Sequence, residues 1–199
     1  ETKIFIAAAD CTGHGVPGGF MSMLGSEKLN EAVNHTADPG PILQVVNKLI
    51  KKVLRQSGQQ DATRDGMDIA LCVFSQNMQS VQYAGANRPF WIIRKGSTEI
   101  EEIKATKAAI GGFTEATQEF AGHRIDLNTG DAIYMFSDGY PDQFGVDDKK
   151  FMTKKFKEIL LSIQEKPMAG QKKILEDTIE DWRGDMEQTD DILVIGIRV

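Results

Sequence analysis

Residues 4–20 read IFIAAADCTGHGVPGGF, and two folds compete for them. Gly13, Gly15 and Gly18 have the G-x-G-x-x-G spacing of a dinucleotide-binding loop, and an apolar, strand-like run precedes them. A nucleotide-binding βαβ unit needs a second parallel strand after the loop helix, with an acidic residue about 20 positions on. The sequence supplies another helix instead. Pro17 suits the first turn of a helix that the pattern carries to about Asn34, with Phe20, Met21, Leu24, Leu29, Ala32 and Val33 on its inner side. The segment HTADPGP (35–41) breaks it. A second helix follows, with Ile42, Val46, Leu49 and Val53 at three- and four-residue steps, ending near Gly58. Asp10 would also repel a pyrophosphate docked on the helix N-terminus. With no Gly-Lys-Ser/Thr for a P-loop either, the nucleotide reading is set aside.

Beyond Gly58 the period changes. MDIALCVF (67–74), SVQYAGA (80–86) and PFWIIR (89–94) read as short strands joined by tight turns, and TEIEEI (98–103) and FAGHRIDL (120–127) as further strands around a loop containing Gly111 and Gly112. DAIYMFSDG (131–139) follows a turn. An amphipathic helix is predicted over 148–163 and a second, less regular one over about 168–183, and DDILVIGIRV (190–199) closes the chain as an apolar strand. Hairpin-linked strands with helices arriving in pairs indicate an α+β fold with antiparallel sheet, and residues 1–199 are read as one domain.

Composition narrows the function. The 199 residues, 41% hydrophobic and 26% charged, suffice for a sizeable core. A net charge of -6 argues against nucleic-acid binding, which favours a basic footprint. No apolar run reaches the roughly 20 residues of a membrane helix, so direct membrane contact is not expected. Two cysteines, Cys11 and Cys72, suit a reducing cytoplasm, although the parent protein could be membrane-anchored.

Three acidic positions share one pattern. Asp10 ends IFIAAA, Asp138 ends AIYMFS, and Asp190-Asp191 opens ILVIGI. Each charge adjoins an apolar segment, where it is costly unless paired or bound to a cation. Any one of them reads equally as a turn or cap residue. Together, with no lysine or arginine beside them, they suggest an oxygen-ligand site for Mg²⁺ or Mn²⁺. Asp68 in RDGMDIALC begins a strand and could approach the site, but reads rather as a turn residue. Arg88 could meet a phosphate, but reads rather as a solvated charge; Asn87 reads as turning with Pro89, and Phe90 and Trp91 as core. His35 and His123 read as structural or surface residues.

ADCTGHGVPGGFMSMLG (9–25), YAGANRPFWII (83–93), DAIYMFSDGYPDQFG (131–145) and TDDILVIGI (189–197) resemble, in order, the motifs of bacterial SpoIIE-like serine phosphatases of the metal-dependent protein phosphatase 2C superfamily. The resemblance covers nearly the whole chain. It implies an αββα sandwich of two antiparallel sheets flanked by helices, with two divalent cations, Mn²⁺ or Mg²⁺, between the sheets. It makes Asp10 the bridging ligand, Cys11 a ligand through its backbone carbonyl, Asp138 and Asp190 ligands of the first metal, and Asp191 an occasional ligand. The implied reaction is hydrolysis of phosphoserine or phosphothreonine on a protein, such as an anti-sigma-factor antagonist, by a metal-bridging hydroxide. His14 is the candidate general acid, against the alternative that it orders the loop, and Thr12 holds the position where eukaryotic relatives carry theirs. Ser137 has no Ser-His arrangement around it and is not read as a nucleophile.

The competing expectation is a catalytically silent phosphoprotein-binding module of the same fold. The family pattern also implies one or two strands before position 1, bearing an acidic residue near the second metal. Opening on the strand of Asp10 is expected to leave a sheet edge uncovered, to weaken second-metal binding and activity, and to favour a homodimer. An upstream sensor or regulatory domain is the implied partner, acting through the helices after Asp10.

Overall fold

The computed structural model describes residues 3–56 and 64–199, and its strands pair into two antiparallel sheets. In chain order the elements are β1 (Ile4–Cys11), α1 (Gly15–Ala32), α2 (Pro39–Val53), β2 (Gly66–Phe74), β3 (Ser80–Ala86), β4 (Phe90–Ile93), β5 (Glu101–Ile103) and β6 (Ile110–Gly111). After them come β7 (Gly122–Asp126), β8 (Ala132–Phe136), α3 (Gly139–Asp142), α4 (Thr153–Ile163), α5 (Met168–Arg183) and β9 (Val194–Arg198). One sheet runs β1-β2-β3-β7, with β6 also on β2, and the other runs β5-β4-β8-β9. Two compact units contain them: Glu1–Phe90 with Ile103–Leu127, and Trp91–Glu102 with Asn128–Val199.

In the first unit β2 is buried along most of its length because its sequence is apolar on both faces. Met67, Ile69 and Leu71 join Met21 and Ala32 of α1 and Ile42, Leu43, Val46 and Ile50 of α2 in one core. The inner stripe of α2 therefore runs through Leu43 and Ile50, while Val53, expected inside, is exposed. Its last turn carries Lys51 and Lys52, which suit the negative helix end, and α2 ends at Val53; Gly58 lies outside the described residues. On α1 the buried positions are Gly18, Met21, Gly25 and Ala32. Phe20, one residue out of phase with that stripe, is 68% exposed, against the sequence expectation. Asn47, fully buried, spends its side chain on the backbone: it donates to Glu115 O at 2.8 Å and accepts from Gly111 N at 2.8 Å. That clamp turns the Ile110–Gly111 part of the expected loop into β6.

In the second unit β8, buried throughout, lies between β4 and β9. Trp91, Phe136, Tyr140 and Phe156 pack in tilted, edge-on and stacked pairs at centroid distances of 4.3–5.6 Å, joined by Leu160 and Ile163 of α4 and Leu175 and Ile179 of α5. The fourth of these helices begins five residues later than the pattern suggests. Gly145 N bonds Lys149 O, Phe151 N bonds Gln143 O, and Met152 takes φ 76°, so residues 145–152 form a turn rather than a helical start.

Asp131, 2% exposed, pins the start of β8 to the end of β4. It accepts from Arg94 Nη1 at 2.9 Å and from the Lys95 and Asn128 N–H groups at 3.0 Å. Burial works against its ionisation, but the Asn128, Arg94 and Lys95 donors outweigh it and hold the carboxyl below its usual range. The unfolded chain therefore binds the proton more readily, and stability falls as pH drops toward the folded value. Asp131→Asn is expected to cost about 2–4 kcal/mol at pH 7. That difference from wild type should stay flat at neutral pH and shrink below about pH 4, as urea melts across pH would show. A difference independent of pH down to 2 contradicts this account.

Candidate functional site

Within the first unit, Asp10 of β1 stands directly across the strand pair from Asp68 of β2. Opposed residues share a face, so the two carboxylates stand together while Cys11 and Met67 project to the helical side. Like charges facing one another destabilise a strand pair. Arg88 answers them. Its Nη2 lies 3.0 Å from Asp68 Oδ2 and 3.3 Å from Asp10 Oδ2, with all three side chains no more than 24% exposed.

These contacts correct three sequence expectations. Asp68 lies within the strand it was expected to begin and has no turn role, Arg88 is largely shielded and not solvated, and Asp10 has an arginine beside it. The partners lie 78 positions apart for Asp10 and Arg88, and only the strand register brings them together.

The backbone that presents Arg88 is tied on several sides. Asn87 adopts φ 58°, a left-handed conformation that asparagine tolerates. Its N–H donates to Thr106 O at 2.9 Å and its side chain to Asp68 Oδ1 at 2.8 Å. Tyr83 Oη donates to Arg88 O at 2.6 Å.

The glycine loop after Asp10 folds back on the start of α1. A Cβ on Gly18 would meet Gly13 O at 2.5 Å, and Gly13 itself has φ 87°, so the spacing that resembles a nucleotide loop serves this close turn. Thr12 accepts from Gly66 N at 2.9 Å, and its own N–H donates to Gly66 O at 2.9 Å, fastening the loop to β2. His14 is exposed and occupies the N-cap position of α1 without a capping bond from its imidazole. Burial raises the Cys11 thiol above its usual pKa, against a hydrogen bond from Ser22, and the nearby Asp10 charge adds to the rise. That thiol lies on the core side of the strand, so any ligand role for Cys11 falls to its carbonyl.

Within the second unit, Asp138 follows β8 and opens α3, while Asp190 and Asp191 lie in the loop before β9. A carboxylate oxygen of Asp138 and one of Asp190 come within 4.8 Å of each other. Ser137 fastens them. Its Oγ donates to Asp191 O at 2.7 Å and accepts from Leu193 N at 2.9 Å, and its N–H donates to Leu193 O at 3.0 Å. Asp190 Oδ1 accepts from the Asp191 N–H at 2.8 Å, which sets the turn. Gly139 leaves the room: a Cβ there would lie 2.4 Å from Asp191 O. The sequence suggested no role for Ser137 beyond a rejected nucleophile; the S-D-G triplet is a staple, a ligand candidate and a gap. A cavity of about 590 Å³ between α5 and β8–β9 is lined mainly by apolar groups such as Leu175, Ile179 and Val194, and neither aspartate lines it.

The family described as Stage II sporulation protein E (SpoIIE) matches residues 1–199. The chain belongs to the SpoIIE family. Among solved structures, the SiaA-PP2C domain of Pseudomonas aeruginosa is 25% identical, with a TM-score of 0.84 over 99% of this chain and 80% of that one. The PP2C phosphatase domain of SpoIIE from Bacillus subtilis, solved with a fragment of its regulatory domain, is 18% identical. Its TM-score is 0.72 over 99% of this chain and 55% of that one. The RsbU and RsbW domains of a Mycobacterium tuberculosis protein are 21% identical, with a TM-score of 0.72 over 98% and 51%. The chain thus spans about half the length of the last two. No curated protein matches it in sequence.

The two antiparallel sheets and their helices match the PP2C-type phosphatase fold, as the four SpoIIE-like motifs imply. That family is metal-dependent, and the acidic residues fit such use. They offer only hard oxygen donors, and two like charges held within 4.8 Å favour a shared cation. Among the described residues no helix is long and apolar enough to cross a membrane.

Proposed function

We propose that this SpoIIE-family chain is a metal-dependent serine/threonine phosphoprotein phosphatase acting on a regulatory protein. The observation that carries the reading is the Asp138–Asp190 carboxylate pair, fixed by Ser137 and Gly139. In this reading Asp10 joins that pair, Cys11 contributes its carbonyl, and Asp191 is an occasional ligand, so that two Mn²⁺ or Mg²⁺ ions are held. When bound, such ions supply a hydroxide at neutral pH and neutralise charge developing on phosphorus. The protein's own part is placement. The loop staples of Ser137 and the Thr12–Gly66 bonds hold donors on two strand ends, so little rearrangement is needed at reaction. His14, exposed at the N-cap of α1, is assigned proton delivery to the departing serine oxygen. An upstream regulatory segment, of the kind solved with the Bacillus subtilis domain, would act through α1 and α2, which continue directly from the Asp10 loop.

Hydrolysis of a phosphoserine peptide should require Mn²⁺ or Mg²⁺, stop in EDTA, and return when excess metal is restored. Phosphate release that persists in EDTA excludes the metal mechanism. No release with any divalent cation leaves the silent phosphoprotein-binding module in its place.

A further inference from the structure

We infer that Arg88, held by Asp68 and Asn87, binds the phosphoryl oxygens of the substrate beside Asp10. The inference rests on the phosphatase reading above and adds to it a residue outside the acidic set. Arg88 sits between two carboxylates, but they hold it unequally. Asp68 is the nearer partner, at 3.0 Å against 3.3 Å, and Asp68 is in turn fixed by the Asn87 amide at 2.8 Å. The Asn87-Arg88 backbone is locked by Thr106 and Tyr83. When Asp10 gives its charge to cations, Asp68 and Arg88 remain as a neutral pair, and the guanidinium keeps its place.

A purely structural role explains this group poorly. Apolar residues facing each other across β1 and β2 would stabilise the strand pair at least as well as a shielded ion triad. Three charges kept at one strand end, one of them a carboxylate assigned to cation binding, suit a ligand that is itself an anion. The planar guanidinium fork matches the tetrahedral oxygens of a phosphomonoester better than an ammonium does. Asp68 and Asn87 are positioning residues here: they touch Arg88 or its anchor and not the substrate.

The test uses the Mn²⁺-loaded protein and three variants, Arg88→Ala, Arg88→Lys and Asp68→Asn. Inorganic phosphate affinity, by calorimetric titration, should fall about 10–100-fold in Arg88→Ala, less in Arg88→Lys, and less again in Asp68→Asn. The KM for a phosphoserine peptide should rise in the same order. Mn²⁺ affinity, measured separately by electron paramagnetic resonance, should hold or rise in Arg88→Ala, since the substitution removes a positive charge that competes for Asp10. Unchanged phosphate affinity in Arg88→Ala overturns the inference. So does a loss of Mn²⁺ affinity large enough to account for the phosphate effect, which would make Arg88 a support for Asp10. Should Arg88→Ala not fold, Arg88→Lys decides by the same criterion. A wild type that binds phosphate through Arg88 but hydrolyses nothing sinks the phosphatase reading and leaves this one standing.

Discussion

Asp138→Asn is expected to lower metal-dependent phosphoserine hydrolysis on the order of 1,000-fold, about 4 kcal/mol of transition-state stabilisation. It should do so without loss of fold. The side chain makes no capping bond to α3, and the backbone contact Asp142 N to Asp138 O does not depend on the carboxylate. Stability should move the other way or not at all. Two carboxylates within 4.8 Å repel by roughly 1 kcal/mol at the dielectric of water, and asparagine removes that repulsion. The metal-free variant is therefore expected to melt at or above the wild-type temperature, and added Mn²⁺ should raise its melting point less than it raises that of wild type. Opposite signs for activity and stability mark a residue kept for chemistry. Equal hydrolysis rates for wild type and variant would remove Asp138 from the mechanism, and a large fall in the metal-free melting temperature would reassign it to the fold.

What could be read from the sequence divides by the range of the interaction. Local signals were sufficient for the bounds of α5, whose expected span of about 168–183 and observed span, Met168–Arg183, agree although its pattern is less regular than that of α4. They also suffice for the hairpins around 67–94, because alternation and turn residues act within a few positions. The phase of α1 was misjudged at Phe20, since a helix with apolar residues on both sides does not reveal which stripe finds a partner. The ligand candidates Asp10, Asp138 and Asp190 were visible as charges at the ends of apolar runs. Asp68 and Arg88 were visible only as the weaker alternatives to a turn residue and a solvated charge, because no short-range pattern records that position 10 pairs with 68 or that 88 returns beside both. A charge flanked by uncharged neighbours in an otherwise buried strand was the available signal, and Asp68 carries it. The two roles of glycine were separable only in three dimensions: one set tightens the turn before α1, while Gly139 makes room for a neighbouring chain segment.

Gly139→Ala is the smallest change that should disable the site through its support. Elsewhere a glycine-to-alanine change in a helix stabilises, by roughly 0.4–1 kcal/mol, because it restricts the unfolded chain. At Gly139 the added methyl would lie 2.4 Å from Asp191 O, 2.8 Å from Asp191 C and 3.3 Å from Asp190 O. These are backbone atoms, and they cannot swing aside as a side chain could. Ser137 holds the same segment through Asp191 O and both polar groups of Leu193, so relief requires breaking that staple or moving α3. Overpacking of this kind costs about 1–3 kcal/mol, which corresponds to a melting temperature lower by about 2–12 °C in a chain of this size. The functional effect should be larger than the stability effect suggests. A shift near 1 Å in the loop bearing Asp190 misaligns it with Asp138, and misplacement on that scale can cost about 100-fold in rate. Gly170→Ala is the control: it lies in α5, its added methyl would find only ordinary contacts at 3.8–4.0 Å, and it should leave activity unchanged while holding or raising the melting temperature. Melting curves and peptide hydrolysis on the two variants side by side decide the matter. If Gly139→Ala behaves like Gly170→Ala in both measurements, the loop before β9 is looser than its hydrogen bonds imply, and the carboxylate pair owes its geometry to something other than the Ser137 staple.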